Sequence, residues 1–494
     1  METTLPLTTS KAARRARYDA IVIGTGVGGS AAAGLLASQG RRILVLEKND
    51  RVGGILAGYQ KDGFSIDFGS HLIPQGSRGP VGRLLRDLGL KEPRLLTHPI
   101  PVRSRGMFEI TAPSERRGLW RTWLAAARML KIGTRERVRL ARLLWETSLD
   151  GPGYDRLNEL TLEEHLFRFT RHPGCYFLIS FLSNIFFVLP PWRVAAGEAL
   201  RGIRDVLRSY SLSYVEGGMS NLPRALLRGV AKEGGDVVVG DRVSAVDPIG
   251  SGLRVATESG LEVEAPVVIG DLDGKDLIGL VGEHRLPPEW VARVRALQSS
   301  GNAHQIKLGL TRPLLSEGCL IGGFSPSGRK TSDLSVELMH RTVAEIEEGG
   351  LSDPLAVYAP VPTNFDPRLA PVGEQLVVAS VFGSPAGWRA ENGNRWLAAV
   401  LEVLDRSIPG LKQAIRFADF EPIPRIGEWM GKSSRAAICN GQVPGQVGRD
   451  RLSVATPIPG LFLAGDGAGG TGIGTELAVR SAREAVAAAS LVVA

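Results

Sequence analysis

Cysteine is scarce in this sequence: Cys175, Cys319 and Cys439 are the only three in 494 residues. So few thiols cannot form a disulfide framework, and their spacings fit no metal-ligand pattern. A chain that folds in a reducing cytoplasm and holds no metal is expected. Long apolar runs are also missing, and none approaches the roughly 20 residues that cross a bilayer. The N-terminal METTLPLTTSKAARRAR has neither an apolar signal core nor a cleavage site, so residues 1–17 read as a flexible basic leader. No period of roughly 20–50 residues repeats along the chain, which excludes solenoids and propellers. No stretch carries the signature of a nucleic-acid-binding module.

Glycine, by contrast, is abundant at 61 residues, as expected where backbones approach a ligand closely. Apolar residues make up 43% and charged residues 22%, the balance of a globular protein with an ample core. The length suggests two or three folding units. The net charge is +8 and the isoelectric point about 9.5. That excess suits an anionic partner, a membrane surface or a polyanion, although a generally basic proteome gives the same balance.

The glycines concentrate first between Tyr18 and Gly54, in YDAIVIGTGVGGSAAAGLLASQGRRILVLEKNDRVGG. An apolar run, Ala20 to Ile23, enters a cluster of Gly24, Gly26 and Gly29. Small residues follow, as a helix packed closely on a sheet requires. A second apolar run, Ile43 to Leu46, ends at Glu47. This is a β-turn-α-β unit with an acid at the tip of its second strand. Gly24 permits the tight turn, Gly26 lets a diphosphate approach the backbone, and Gly29 lets helix and strand touch. The helix N-terminus offers N–H groups and a positive dipole end to phosphate. Glu47 stands about 20 residues on, where a carboxylate accepts from ribose hydroxyls. A dinucleotide is the expected ligand.

Four segments narrow the choice. Arg51-Val52-Gly53-Gly54 continues directly from Glu47, and GFSIDFGSHLIP follows at Gly63 to Pro74. YVEGGM begins at Tyr214, and the strand-like Leu461-Phe462-Leu463-Ala464 leads into Gly465-Asp466 and GAGGTGIGTELAVRSAREAV. With these segments the sequence resembles the phytoene desaturase and carotenoid isomerase branch of the flavin amine oxidase superfamily. The resemblance implies an α/β fold: a discontinuous Rossmann-type FAD domain over 18–90, 236–300 and 426–494, with an inserted α+β substrate domain over 91–235 and 301–425. It implies FAD, held by Gly24, Gly26, Val27, Gly28 and Gly29 in the first turn, and by Glu47, Lys48, Arg51, Gly53 and Gly54 after the second strand. It further implies that the backbone of Val243 meets the adenine, that Gly465 and Asp466 serve the diphosphate and ribityl chain, and that Gly472, Ile473 and Gly474 open a helix aimed at the flavin. Two departures stand out. Gly270-Asp271 replaces the usual small residue followed by Asn or Ala, and GAGGTGIGTELA replaces the H-P-G-x-G-x-P segment of carotenoid desaturases proper. The second leaves room for isomerase and saturase relatives.

Between the motifs lie helical patterns. Val81 to Leu90 is one. A second runs from Leu119 to Leu130 and a third starts at Thr134, with Trp120, Trp123 and Trp145 set among Arg121, Arg128, Arg135, Arg137, Arg139 and Arg142. Basic charge beside Trp and Leu is the composition of a helix in a membrane interface, and equally of a surface helix with one face on the core. Peripheral contact with an anionic membrane is therefore expected alongside a cytoplasmic location. Cys175 to Pro190 is apolar almost all round, a buried helix over the substrate cavity or a lip dipping into lipid. Residues 275–300 read as helical and 405–451 as loop-rich.

Three functions compete. A desaturase-like enzyme would desaturate, saturate or isomerise a hydrophobic polyene or isoprenoid. A flavin amine oxidase would use a Lys near the flavin, for which Lys307 on the strand IKLGL is the candidate. Its aromatic cage is missing from the closing motif, which has no Tyr or Trp. A flavin-stabilised, membrane-associated binding protein is the non-enzymatic reading. No acid or base declares itself: His71 follows the flavin-lining Asp67-Phe68-Gly69, and Glu476 lies one turn into the closing helix, so these two and Lys307 are the catalytic candidates.

Overall fold

Four consecutive apolar residues without alternation form strands covered on both faces. Ala20–Ile23, Ile43–Leu46 and Val267–Gly270 are such runs, and the computed structural model lays them side by side. It describes residues 5–13, 17–69, 72–98, 102–106, 119–145, 151–250, 252–325 and 327–491. Five parallel strands stand in the order Leu461–Leu463, Val267–Gly270, Ala20–Ile23, Ile43–Leu46, Asp236–Val238. Ala20, Val22, Ile43 and Val45 face a core built with the helices Val27–Ser38, Asn221–Lys232 and Gly474–Ser490. Ile21, Ile23, Leu44 and Leu46 face the other core, shared with a three-stranded antiparallel sheet over residues 243–265 and the helices Gly274–Val281 and Pro288–Ala296. Each fully buried Val, Leu or Ile contributes roughly 1.5–3 kcal/mol. This is the doubly wound α/β arrangement, in which ligands bind beyond the carboxyl ends of the strands.

A second, mostly antiparallel sheet holds six strands in the order Ile415–Glu421, Asn302–Leu310, Gln375–Gly383, Leu355–Pro360, Cys319–Phe324, Val102–Gly106. Its strand Asn302–Leu310 turns Ile306, Leu308 and Leu310 to a core completed by Trp396, Val400 and Leu404 of the helix Gly393–Ser407. The opposite face presents Gln305 and Lys307 to the segment that follows Phe64–Asp67. A helical layer, including Leu119–Met129, Thr134–Trp145, Pro173–Phe187 and Ala196–Ser209, has its own core around Leu143, Tyr154, Tyr176 and Leu200. No helix among the described residues is long and apolar enough to cross a membrane.

The helical reading of residues 275–300 resolves into two helices: Gly282, at φ 87°, ends the first, and Pro287-Pro288 starts the second. One expectation needs correction. Residues 405–451 are not simply loop. They contain the edge strand Ile415–Glu421 and the helix Ile423–Met430, whose apolar residues bury against the neighbouring strand and the core.

Candidate functional site

The carboxyl ends of Ala20–Ile23 and Ile43–Leu46 open into a continuous cavity of about 1240 Å³. Its first part is a cradle of backbone. The helix Val27–Ser38 begins at Gly26 with no side-chain cap and no acid in its first turn, and of its N-terminal N–H groups that of Gly29 is taken by Asp271 Oδ2 at 2.9 Å. Gly24, Gly26, Val27 and Gly28 line this end, with Gly465 opposite and Gly54 alongside. The approach is close: a Cβ on Gly28 would lie 2.5 Å from Gly465 Cα, and one on Gly54 would lie 3.1 Å from Gly26 Cα. Gly29 does not line the cavity. A Cβ there would sit 2.2 Å from the carbonyl oxygen of Gly24, so its small size closes the turn.

Glu47 is buried at the tip of its strand and lines the same space. Its Oε2 accepts from the Thr25 N–H at 3.0 Å and the Thr25 hydroxyl at 2.5 Å, and its Oε1 accepts from the Asn49 N–H at 2.9 Å. A carboxylate has about four acceptor positions, so one remains for a ribose hydroxyl. Gly53 stands behind, at φ 120°, and donates its N–H to the Thr25 hydroxyl at 3.0 Å. Lys48 lines the cavity but spends its ammonium on the carbonyls of Trp429, at 2.8 Å, and Glu428, at 3.2 Å. Burial lowers its pKa. Val243 and Arg242 line the outer end of the cavity. A flexible dinucleotide with a diphosphate at its middle fits this donor set: a helix N-terminus, a ribose-accepting acid and glycines that let the chain pass.

The closing motif forms the opposite wall. Gly465, Asp466, Ile473 and Gly474 line the cavity. Asp466 Oδ2 accepts from Lys432 Nζ at 2.7 Å and from the Cys439 N–H at 3.0 Å. Burial would lower the Lys432 pKa, but Asp466, Cys439 and Asp271 together outweigh it and hold the ammonium charged. Gly472 lies just outside, clamped by its N–H to Glu198 Oε1 at 2.6 Å and by its carbonyl to Gln442 Nε2 at 2.9 Å. Lys432, Glu198 and Gln442 had no sequence signal, because each comes from a stretch far from the motif it serves.

Beyond the cradle the lining turns apolar. Phe177, Phe181 and Ile185 of the helix Pro173–Phe187, Leu338 and Val343 of the helix Val336–Glu347, and Phe382 of the second sheet enclose it. Every acid in the described lining, Glu47, Glu258, Asp271, Asp276 and Asp466, belongs to the cradle. The chamber thus accepts a large hydrophobic body and offers no counter-ion to an ammonium.

The segment between the two parts is fixed from behind. Asp67 is buried and accepts from the Tyr214 hydroxyl and from the Met219 N–H at 3.0 Å, so the YVEGGM block anchors the GFSIDFG segment. Burial pushes Asp67 up to about 6. Lys307 is fully buried. Its Nζ donates to the Phe68 carbonyl at 3.0 Å and to Gln305 Oε1, while Gln305 donates to the Gly69 carbonyl at 3.1 Å. Gln305 lines the cavity; Lys307 stands one side chain behind it. Burial pulls its pKa down to about 7, against the opposing pull of Asp67 and Glu421.

The other candidates lie elsewhere. Glu476 faces away from the cavity, where its carboxylate accepts from the Gln75 N–H at 2.8 Å and the Thr475 hydroxyl at 2.9 Å. It holds the closing helix to the 72–75 turn, and burial raises its pKa to about 7. Arg51 points into a separate polar crevice with Lys61, Asp419 and Arg425, 3.6 Å from Asp50. Its exposed side chain follows the turn outward rather than back over the cradle. His71 lies outside the described residues.

Known proteins share this architecture. An engineered putrescine oxidase covers 97% of this chain and 99% of its own at 18% identity, with a TM-score of 0.68. An oxidoreductase from Methanosarcina mazei covers 94% and 98% at 19% identity, with a TM-score of 0.71. Prolycopene isomerase 1 of an Oncidium hybrid cultivar is 24% identical over 91% of this chain and 80% of its own length. Human all-trans-retinol 13,14-reductase is 38% identical, but over 95 residues that span 17% of this chain and 16% of that protein. The family described as flavin containing amine oxidoreductase matches residues 27–399. FAD is the cofactor, and when bound along the cradle it supplies hydride acceptance and donation. The chain belongs to the flavin containing amine oxidoreductase family and is an FAD-dependent oxidoreductase.

Proposed function

We propose that the enzyme desaturates, saturates or isomerises a hydrophobic polyene or isoprenoid, carotenoid-like substrate. One observation carries this reading: the cradle opens without interruption into a chamber walled by Phe177, Phe181, Ile185, Leu338, Val343 and Phe382 that has no acid among its described residues. A long hydrocarbon gains from burial there, at about 25 cal/mol per Å² of apolar surface. An amine would lose its hydration without a counter-charge. Two relatives named for polyene chemistry, the prolycopene isomerase and the retinol reductase, support the same direction. In this reading Gln305 and the Lys307 behind it set the polar edge of the chamber where the substrate would meet the cofactor. Anaerobic mixing of the FAD-loaded enzyme, oxidised or pre-reduced, with carotenoid precursors and with putrescine tests it. A spectral change or product with the polyene alone supports the reading; flavin bleaching by putrescine alone replaces it with amine oxidation.

The substrate class suggests where the protein works. Trp120, Val138 and Trp145 are 58%, 64% and 79% exposed, and Arg121, Arg135 and Arg142 are exposed around them. Large apolar side chains ringed by Arg suit the interface of an anionic membrane. Binding to vesicles containing anionic lipid is expected at low salt and should weaken in about 1 M salt. Equal recovery with neutral and anionic vesicles would make this an ordinary surface.

A further inference from the structure

We propose that Asp271 shares the diphosphate cradle with the cofactor, so that FAD binding is coupled to uptake of one proton at this carboxylate and weakens as pH rises. The inference rests on the FAD assignment and concerns a residue that the family resemblance gives no role.

Asp271 follows the strand Val267–Gly270, at the place where the family resemblance leads to an expected Asn or Ala. Its N–H donates to the Ile23 carbonyl at 2.8 Å, which locks it against the end of the strand that leads into the glycine turn. Its side chain lines the cavity, and Oδ2 accepts from the Gly29 N–H at 2.9 Å. The glycines around it show how centrally it lies. A Cβ on Gly26 would come within 2.4 Å of Oδ2, and Cβ atoms on Gly28 and Gly465 within 2.8 Å and 2.1 Å of Oδ1. These are the positions whose missing side chains let a diphosphate approach. An acid therefore stands against the glycines of the cradle, bonded to a first-turn N–H of the helix whose N-terminus attracts phosphate.

The charges nearby sharpen the conflict. Asp466 and Glu47 are the neighbouring acids. Lys432 is the neighbouring cation, and it is already paired with Asp466 at 2.7 Å. An ionised Asp271 adds a third carboxylate beside two phosphate charges in a partly dry site. Protonated, the same group loses its charge and gains an O–H that can donate to a phosphate oxygen. Only a proton moves, from water to a carboxylate oxygen, and no covalent bond of the cofactor changes. The titration falls in the working range: burial pushes Asp271 up to about 6, with Asp466 and Glu47 adding to the rise and the Gly29 N–H and Lys432 opposing it.

Calorimetric titration of the apoprotein with FAD between about pH 5.5 and 8.5, in buffers of different ionisation enthalpy, reads both affinity and protons exchanged. For the wild type, Kd should rise by up to tenfold per pH unit above about pH 6, with close to one proton taken up per FAD bound. Asp271→Asn keeps an acceptor for the Gly29 N–H. It should bind FAD at least about tenfold more tightly than wild type at about pH 8, with a flat profile and no proton uptake. The wild-type proton count needs no variant, so the test survives if the variant folds poorly. A flat wild-type profile without proton uptake, or a slope that persists in D271N, overturns the proposal. Absence of FAD binding by both proteins at every pH removes the cofactor assignment and the proposal with it.

Discussion

The two ends of the cavity are built on opposite principles. The cradle is made of backbone and a few fixed charges. Its glycines approach within contact distance, and Glu47, Asp466 and Lys432 are each held by at least one partner. The chamber is made mostly of apolar side chains, drawn from helices and a second sheet. The first end can recognise only one kind of ligand, because its geometry is set atom by atom. The second selects by volume and polarity, so related proteins can change substrate without changing cofactor.

Substitutions at each end should separate these principles. The largest effect is expected for Gly26→Trp. A Cβ at this position would already lie 2.4 Å from Asp271 Oδ2, and an indole would fill the diphosphate space. The variant should purify colourless, with FAD affinity reduced by more than about 100-fold, or some 3 kcal/mol. A yellow protein with wild-type stoichiometry would show that the cradle is not where the cofactor sits. Phe181→Asp is the mirror image. It should keep FAD affinity within about twofold and lower polyene turnover by about 100-fold or more, because a buried carboxylate repels a hydrocarbon. Loss of flavin in this variant would mean that the two ends are not independent.

The smallest contrast is one of pH. Lys307 and Glu476 are both buried and both titrate near neutrality, with opposite signs. The folded pKa of Lys307 is about 7, below its unfolded value of about 10.5, so the unfolded chain binds the extra proton between the two. Its contribution to stability is present above the upper value and is lost as pH falls toward 7. The folded pKa of Glu476 is about 7, above its unfolded value of about 4.5. Its contribution is present below the lower value and is lost as pH rises through 7. Melting temperatures across pH should therefore show a steeper loss on acidification from about pH 10 for wild type than for Lys307→Met. They should show a gain for Glu476→Gln over wild type at about pH 8 that disappears near pH 5. A Glu476→Gln variant that melts like wild type at both pH values would mean that burial does not raise the Glu476 pKa.

The cradle was largely legible in the sequence because its demands are local. Strand, turn, helix and acid follow one another between Tyr18 and Gly54, and each demand names a residue type. The chamber was legible only as apolar composition. Its walls, the helix Val336–Glu347 and the strand Leu355–Pro360, carry no motif, since any set of hydrophobic side chains of suitable size can line it. The second layer around the cradle was invisible for another reason. Lys432 meets Asp466, Glu198 meets Gly472 and Tyr214 meets Asp67 only after distant stretches fold together. The catalytic candidates show the cost of reading position without direction. Glu476 occupies the first turn of the closing helix, as an acid suits the dipole, but the helical period turns it to the far side.

The strand Leu461–Leu463 pairs with Val267–Gly270, which in turn pairs with Ala20–Ile23. During synthesis the outer edge of Val267–Gly270 must therefore wait for nearly 200 further residues (461 − 270 = 191) before its neighbour leaves the ribosome. Throughout that interval a flat, apolar strand edge is open to pairing with another chain. Production of this protein should accordingly depend on how fast translation reaches Leu461, and on chaperone capacity, more than on the supply of flavin. A message truncated before that codon would yield aggregating chains rather than a smaller flavoprotein.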